Sequence, residues 1–68
     1  MDKNLLKISE KEIGKKINIK KSFKENDFDS LDLMTFLALF EDYYNIKLKE
    51  NDYRAIKNFN DLAKFIKK

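Results

Sequence analysis

Ser30 is the side chain with the clearest capacity for chemistry in this sequence. It lies in the motif Asp29-Ser30-Leu31-Asp32, directly before an apolar run over residues 33–40. The run predicts a helix that begins near the serine. A phosphate esterified to the hydroxyl would then meet free backbone N–H groups and the positive end of the helix dipole. An ordinary N-cap serine is the alternative interpretation. We interpret the motif as a site that receives a phosphate.

The residue types that are missing limit what Ser30 can do. The chain contains neither cysteine nor histidine. This excludes disulfides, thiolate nucleophiles, Ser-His-Asp and Cys-His arrangements, and metal sites built on either residue. A neutral serine also needs a general base before it becomes a nucleophile. We therefore expect a non-catalytic protein without a metal site, whose serine is an acceptor modified by a separate enzyme.

Charge is divided along the chain in a way that the net value of +3 hides. Residues 1–24 contain eight lysines and three acidic residues, a net charge of +5. Residues 25–53 contain eight acidic residues and two lysines, a net charge of −6, and residues 54–68 have a net charge of +4. Ser30 therefore lies in the acidic block of a basic protein.

The basic N-terminal block suggests a second class of function, binding to nucleic acid or another anionic surface. Phe23 is the one aromatic side chain near its loop lysines that could stack on a base, and the acidic block would repel phosphates. We favour a solvated loop and expect no nucleic-acid partner. The lysines concerned are Lys15, Lys16, Lys20, Lys21 and Lys24.

Length and composition predict one small all-α domain over residues 1–68. A chain of 68 residues hides only about 60% of its unfolded surface on folding, so the core must be small. Proline is absent, Gly14 is the one glycine, and 43% of residues are apolar beside 40% charged, which favours helices with polar outer faces. No apolar stretch approaches the roughly 20 residues of a membrane span or the apolar segment of a signal peptide. We expect a soluble, cytoplasmic protein without a membrane partner.

The N-terminal third predicts one helix and a long loop. Leu5, Leu6, Ile8 and Ile13 share one helical face, and Gly14 is placed to end the helix with a left-handed cap. A helix that begins at Ser9, with Glu12 completing a capping box, and continues through Ile17 is the alternative. Residues 15–27 predict a loop held to the core by single apolar anchors, namely Ile17, Ile19 and Phe23.

The remainder predicts three more helices. Residues 30–44 form the strongest helical pattern, in which Leu31 and Met34 widen the apolar stripe of a central helix. Ile46 and Leu48 alternate with lysines in an extended link, and residues 50–56 predict a short helix with Tyr53 and Ile56 inward. The last helix is capped by Asn58 and contains Phe59, Leu62, Ala63, Phe65 and Ile66, with Lys64, Lys67 and Lys68 at its C-terminal end.

This order of motifs resembles the acyl carrier protein family. Asp29-Ser30-Leu31-Asp32 is similar to the attachment motif of that family, and Glu41-Asp42-Tyr43-Tyr44 is similar to the end of its second helix. Residues 58–62 resemble the start of its last helix, Ile13-Gly14 the end of its first, and Ser22-Phe23 a loop anchor. The resemblance implies a small four-helix bundle with three longer helices and one short helix.

The resemblance also implies a function. Ser30 would be the covalent attachment point for 4'-phosphopantetheine, which a phosphopantetheinyl transferase takes from coenzyme A, with Asp29 and Leu31 as flanking binding residues. The arm brings the thiol that the chain lacks, and this thiol carries acyl groups as thioesters between acyl-loading and acyl-accepting enzymes. We expect a monomer, since the protein would shuttle between these enzymes.

Two further sets of residues follow from the resemblance. Asp29, Asp32, Glu41 and Asp42 would form an acidic strip that steers basic partner enzymes, although Asp32 alone could simply complement the helix dipole. An acyl chain would lie against an apolar set for which ordinary core packing is the alternative. Its members are Met34, Leu37, Tyr53, Ile56 and Phe59, together with Leu31 and Phe36.

Several departures from the family leave the cargo open. Asn26-Asp27 replaces a common Leu-Gly pair, although both residues tolerate left-handed backbone. Thr35 occupies a position that is often acidic in fatty-acid carriers, and the protein is basic. A carrier of aminoacyl or other non-fatty groups in a specialised pathway is therefore as consistent with the sequence as a carrier in fatty acid biosynthesis. An unmodified helical adaptor that binds partners through its acidic second helix is a third possibility.

Overall fold

The structure is a computed structural model that describes residues 1–66. This part of the chain forms four α-helices. They are α1 (Lys3–Ile13), α2 (Ser30–Tyr44), α3 (Glu50–Ala55) and α4 (Phe59–Leu62), and a 3-10 turn over Ala63–Phe65 continues α4. Within residues 1–66 the β-structure is limited to an isolated bridge between Ser22 and Asn58. The predicted all-α, four-helix fold is confirmed. No helix in this part of the chain is long and apolar enough to cross a membrane.

Helix α1 has a defined cap at each end. The Asp2 side chain accepts the backbone N–H of Asn4 at 2.8 Å, and Gly14 ends the helix with a left-handed backbone, φ 83°. The predicted end at Gly14 is confirmed, and the alternative helix beginning at Ser9 is wrong. Asp2 supplies an earlier cap, and the resulting register buries Leu5 and Ser9, four residues apart, on one face of α1.

Helix α2 is the central element and has the predicted bounds. Phe36 and Phe40 on this helix are fully buried. Beneath its N-terminal half, the Phe59 ring lies edge-on to Phe23 at 4.6 Å and to Phe36 at 5.2 Å between centroids, an arrangement that aromatic quadrupoles favour. This aromatic cluster joins the loop, α2 and α4.

Two residues expected to widen the apolar stripe of α2 lie outside the core. Leu31 is 70% exposed and Met34 is 66% exposed. At 3.6 residues per turn they lie about 140° and about 160° around the helix from Phe36. The packing elements cover the Phe36 side of α2 and leave these two side chains at the surface.

A single asparagine holds the turns of the long loop together. The Asn26 side chain accepts the N–H of Asn18 at 2.7 Å and donates to the carbonyl oxygens of Asn18 and Ser22 at 2.9 and 2.8 Å. Asp27 adopts a left-handed backbone, φ 66°, as the tolerance of Asn and Asp for this conformation predicts. Phe23 is a buried anchor, whereas the expected anchor Ile19 is 37% exposed.

The C-terminal elements differ in detail from expectation. Ile56 is buried as predicted, but Tyr53 is 42% exposed, because its hydroxyl reaches the Glu41 carboxylate instead of the core. Asn58 caps α4 by accepting the N–H of Asp61 at 3.1 Å. The chain then tightens into the 3-10 turn and becomes extended at Ile66, so the last helix ends before that residue. Residues 67 and 68, the two lysines expected at the helix end, lie outside the described residues.

Replacing Ser9 by alanine should stabilise the fold. The Ser9 hydroxyl is fully buried and has no hydrogen-bond partner among the described residues. A buried hydroxyl of this kind costs about 1–3 kcal/mol, and alanine is also the better helix former. We expect the free energy of unfolding of Ser9→Ala, measured by urea denaturation, to rise by about 1 kcal/mol.

Ser22→Ala is the matched control, because the Ser22 hydroxyl has a partner. It accepts the N–H of Glu25 at 3.1 Å, while the Glu25 carboxylate accepts the N–H of Ser22 at 2.9 Å, a reciprocal pair of the capping-box type. We expect this variant to lose about 1 kcal/mol. An equal loss for Ser9→Ala would contradict the prediction.

Candidate functional site

Ser30 is the first residue of α2, and the helix is capped by its neighbour. The Asp29 carboxylate accepts the N–H of Asp32 at 2.8 Å, and the Asp32 carboxylate accepts the N–H of Asp29 at 3.4 Å, which completes a capping box. The interpretation of Ser30 as an ordinary N-cap serine is therefore wrong. Its side chain is exposed and is not used to close the helix, so the hydroxyl is available for modification.

A lysine from the preceding loop fixes this helix start in place. The Lys15 ammonium lies 2.6 Å from a carboxylate oxygen of Asp32 and 2.5 Å from the carbonyl oxygen of Asp27. The hydrogen bond from Lys15 holds the pKa of the Asp32 carboxyl below its usual range, and the same bond raises the pKa of Lys15. Nothing in the spacing of the sequence signals Lys15, which is 17 residues from its partner.

An apolar groove begins at Ser30 and runs between α2 and α3. Its volume is about 550 Å³, within the range of about 300–1,000 Å³ typical of small-molecule sites. Among the predicted acyl-contacting residues, Met34, Leu37 and Tyr53 line it, whereas Ile56 and Phe59 are core residues that do not. The remaining lining residues are Ser30, Leu33 and Ala38.

Sequence reasoning missed Leu33 and Ala38, although the spacing contained a signal. Met34, Leu37 and Ala38 follow Ser30 at four, seven and eight residues, which places them on one face of a helix. Leu33, three residues after Ser30, borders the same face. Any residue at these spacings from the serine was therefore a candidate for the groove.

A smaller cleft lies on the other side of Ser30, between the loop and the segment that precedes α4. Its volume is about 280 Å³. Two lysines, Lys24 and Lys57, line it together with Asp29. Its apolar lining includes the core residues Phe23 and Ile56 and the partly buried Phe28. Ser30 and Leu33 border both the groove and the cleft. The two lysines come from distant parts of the chain, and sequence reasoning did not connect them.

The four acidic residues expected to form one strip are divided by the structure. Asp29 and Asp42 are exposed, whereas Asp32 faces Lys15. Glu41 lies nine residues after Asp32, about 180° around the helix. The four therefore do not form one continuous strip, and contact with partners through them stays a prediction.

Glu41 holds Tyr53, one of the side chains that line the groove. One of its carboxylate oxygens accepts the backbone N–H of Leu48 at 2.6 Å and the hydroxyl of Tyr53 at 3.3 Å. Partial burial and the neighbouring Glu41 carboxylate raise the pKa of the Tyr53 hydroxyl above its ordinary value. Glu41 thus joins α2 to the link before α3 and to α3 itself. Residues 1–66 contain no group of three or more Asp, Glu, His or Cys side chains that could hold a metal ion.

Comparison with known proteins assigns the chain to a family. Residues 3–66 match the family described as the phosphopantetheine attachment site. This chain belongs to that family. The fold is similar to that of an acyl carrier protein from Thermotoga maritima, with a TM-score of 0.75 at 24% sequence identity over 93% of this chain and 78% of that one. At this identity the likeness shows the fold alone. The comparison with curated proteins gave no match.

Membership of the family makes the chain a phosphopantetheine carrier protein, whose covalent cofactor is 4'-phosphopantetheine. The residues around Ser30 fit this group. An exposed hydroxyl is available for esterification, two lysines beside it complement a phosphate, and the apolar groove offers a surface for an uncharged arm. The resemblance inferred from the sequence is therefore confirmed at the level of family and cofactor.

Lys15→Met should raise the pKa of Asp32 toward its ordinary value of about 3.9. The folded-state pKa of Asp32 lies below its unfolded value, so the carboxylate stabilises the fold above about pH 4 and loses this contribution as the pH falls through the folded pKa. Without Lys15 the acid-induced loss should be smaller. Carboxyl carbon NMR titration gives the pKa, and urea denaturation at several pH values gives the loss.

Lys16→Met removes the same charge from the neighbouring position, which forms no ion pair with another residue among 1–66. We expect the pKa of Asp32 to stay nearly unchanged in this variant. Equal shifts in both variants would mean that diffuse positive charge, and not the Lys15 hydrogen bond, holds the pKa down.

Proposed function

We propose that Ser30 is the attachment residue for 4'-phosphopantetheine and that this protein carries acyl groups between biosynthetic enzymes. The observation that supports this assignment is that two different residues cap α2 and present the hydroxyl at its start. Asp29 caps the helix, so the hydroxyl of Ser30 stays free at the mouth of an apolar groove. When bound, the cofactor supplies the thiol that this cysteine-free chain lacks, and an acyl group is held on that thiol as a thioester.

The chain can position the phosphate but cannot activate the serine. A phosphate at the first residue of α2 gains about 0.3–1 kcal/mol from the helix dipole. Activation needs a general base, and the chain has no histidine. The carboxylates of Asp29 and Asp32 are committed to the capping box. The base therefore comes from a phosphopantetheinyl transferase, which together with acyl-loading and acyl-accepting enzymes makes up the proposed set of partners.

The groove is the proposed resting place of the cargo. Transfer of apolar surface from water contributes about 25 cal/mol per Å², and Met34, Leu37, Ala38 and Tyr53 offer such surface next to Ser30. The cargo is retained without being buried in the core, since Met34, Ala38 and Tyr53 are exposed and only Leu37 belongs to the core. An enzyme that docks beside Ser30 can then withdraw it.

Glu41 supports a second candidate, a cargo that bears an amino group. Its carboxylate accepts the hydroxyl of the groove-lining Tyr53, and Glu41 lies eleven residues after Ser30, about 16 Å along the helix axis. An ammonium group at that distance from Ser30 would pair with the carboxylate, whereas a plain hydrocarbon chain would gain nothing from it.

A cytoplasmic location, a monomeric state and a single domain over residues 1–68 stay predictions.

Incubation with coenzyme A and a broad-specificity phosphopantetheinyl transferase should add one phosphopantetheinyl group to the wild-type protein. Ser30→Ala should gain no mass, because it lacks the acceptor hydroxyl, while Ser22→Ala should be modified like the wild type. Intact-mass spectrometry measures the gain, and peptide mapping locates it.

The unmodified-adaptor hypothesis makes the opposite prediction for the same experiment. Absence of any mass gain on the wild type, with circular dichroism showing a folded protein, would favour the adaptor and refute the carrier assignment. An equal gain on Ser30→Ala would place the cofactor on another residue.

Filling the groove should weaken cargo retention without preventing modification. Ala38 is exposed and lines the groove, so Ala38→Trp blocks the space and leaves the core intact. We expect the wild-type protein to melt at a higher temperature when loaded with an octanoyl group than with the cofactor alone, and Ala38→Trp to lose most of this difference. Differential scanning fluorimetry measures both.

Ala55→Trp places the same side chain at an exposed position of α3 that does not line the groove. It should behave like the wild type. An undiminished octanoyl effect in Ala38→Trp would show that the cargo lies elsewhere on the surface.

A further inference from the structure

The cleft on the loop side of Ser30 differs in chemistry from the apolar groove. Lys24 and Lys57 line it from two separate segments, and Ser30 stands between this cleft and the groove. Asp29 contributes the opposing charge, and its carboxylate is occupied by the N–H of Asp32. The cleft therefore has two ammonium groups, one from each basic block of the sequence, against one carboxylate from the acidic block.

Both lysines project from backbone that is held in place. Lys24 directly follows Phe23, and Lys57 directly follows Ile56, and both of these anchors are buried. The backbone N–H of Lys57 also donates to the Asp61 carboxylate at 2.8 Å. Each lysine thus combines a fixed Cα position with an exposed side chain.

Neither ammonium group is committed to an acidic side chain. Within residues 1–66 the ion pairs join Lys15 to Asp32 and Arg54 to Glu50, so Lys24 and Lys57 are unpaired in the described part of the chain. Lys15, by contrast, has its donors directed at Asp32 and at the carbonyl oxygen of Asp27. The cleft therefore offers positive charge that the fold itself does not use.

We propose that Lys24 and Lys57 are positioning residues that hold the phosphodiester of the cofactor arm. The inference rests on attachment at Ser30, as proposed above. A phosphodiester keeps a negative charge at neutral pH, and ammonium groups on a neighbouring surface bind it as charge-assisted donors. Asp29 lines the same cleft and repels the phosphate, so the attraction of two ammonium groups has to exceed the repulsion of one carboxylate.

The consequence is a defined direction for the arm. With its phosphate held on the cleft side of Ser30, the uncharged remainder crosses the serine toward the apolar groove. The cleft thus holds the charged part of the cofactor arm, and the groove receives its apolar part. Lys24 and Lys57 decide the starting direction, and the groove receives the distal end.

The test uses the modified protein and does not depend on enzyme activity. Protein labelled with nitrogen-15 is converted to the cofactor-bearing form, and mass spectrometry verifies one modification at Ser30. The side-chain ammonium signals of Lys24 and Lys57 and the phosphorus-31 signal are then recorded at low ionic strength, where screening between exposed charges is weakest. We expect both lysine signals to shift on modification, whereas those of Lys20 and Lys21 stay in place.

Substitution gives the second measurement. In the double variant Lys24→Gln/Lys57→Gln, the phosphorus-31 signal should move toward that of free phosphopantetheine and lose its dependence on salt concentration. The control Lys20→Gln/Lys21→Gln removes the same charge from the same loop outside the cleft, and its phosphorus-31 signal should match the wild type.

The outcomes separate this inference from the proposed function. Modification at Ser30 with unchanged lysine and phosphorus signals would refute the role of the two lysines and leave the carrier function intact. Equal changes in both double variants would refute it as well, in favour of a general charge effect. Absence of modification at Ser30 would overturn both proposals.

Discussion

The start of α2 depends on one carboxylate. Asp32 accepts from the backbone of Asp29, while its own N–H donates to the Asp29 side chain, and it also receives the Lys15 ammonium. Because hydrogen bonds in such a network polarise one another, the cap and the ion pair support each other. The Asp32 side chain is only 17% exposed, so the pair is better shielded than a typical surface salt bridge. The network fixes both the end of the long loop and the position of Ser30.

The rest of the site follows from where this network places the loop. Lys15 pulls in the carbonyl oxygen of Asp27, whose left-handed backbone turns the chain into α2. The stacked rings of Phe23 and Phe28, 6.0 Å apart between centroids, then cover the core beside the helix start. One side of Ser30 is thereby bounded by the loop and the other by α3. The loop conformation thus shapes the cleft, whereas α2 and α3 form the groove.

The sequence predicted local features well and long-range pairs poorly. The bounds of α2 and the cap at Gly14 follow from periodicity and backbone preference, which neighbouring residues determine. The contact between Lys15 and Asp32, and the position of Lys24 and Lys57 along one cleft, depend on how the loop folds back. No periodic signal encodes such a contact. The apolar character of a helical residue also does not tell on which side of the helix the neighbouring elements pack.

Leu31 and Met34 show the same limit, since both match a core pattern. Only the arrangement of neighbouring elements leaves them at the surface, where they are 70% and 66% exposed. Sequence reasoning therefore predicted the fold, which is confirmed, and named Ser30, which stays the proposed attachment residue. It did not identify most of the residues that surround it.

The exposure of Leu31 and Met34 has an energetic meaning in so small a protein. Burying a large apolar side chain stabilises a fold by about 1.5–3 kcal/mol, a substantial share of the 5–15 kcal/mol that a typical domain has. A domain of this size therefore forgoes stability by leaving two such side chains exposed to water near the start of α2, one and four residues after Ser30. In the proposed carrier function, the cargo in the groove would cover Met34 and a docked enzyme would cover Leu31. The fold does not depend on such cover, because the aromatic cluster of Phe23, Phe36 and Phe59 lies in the core.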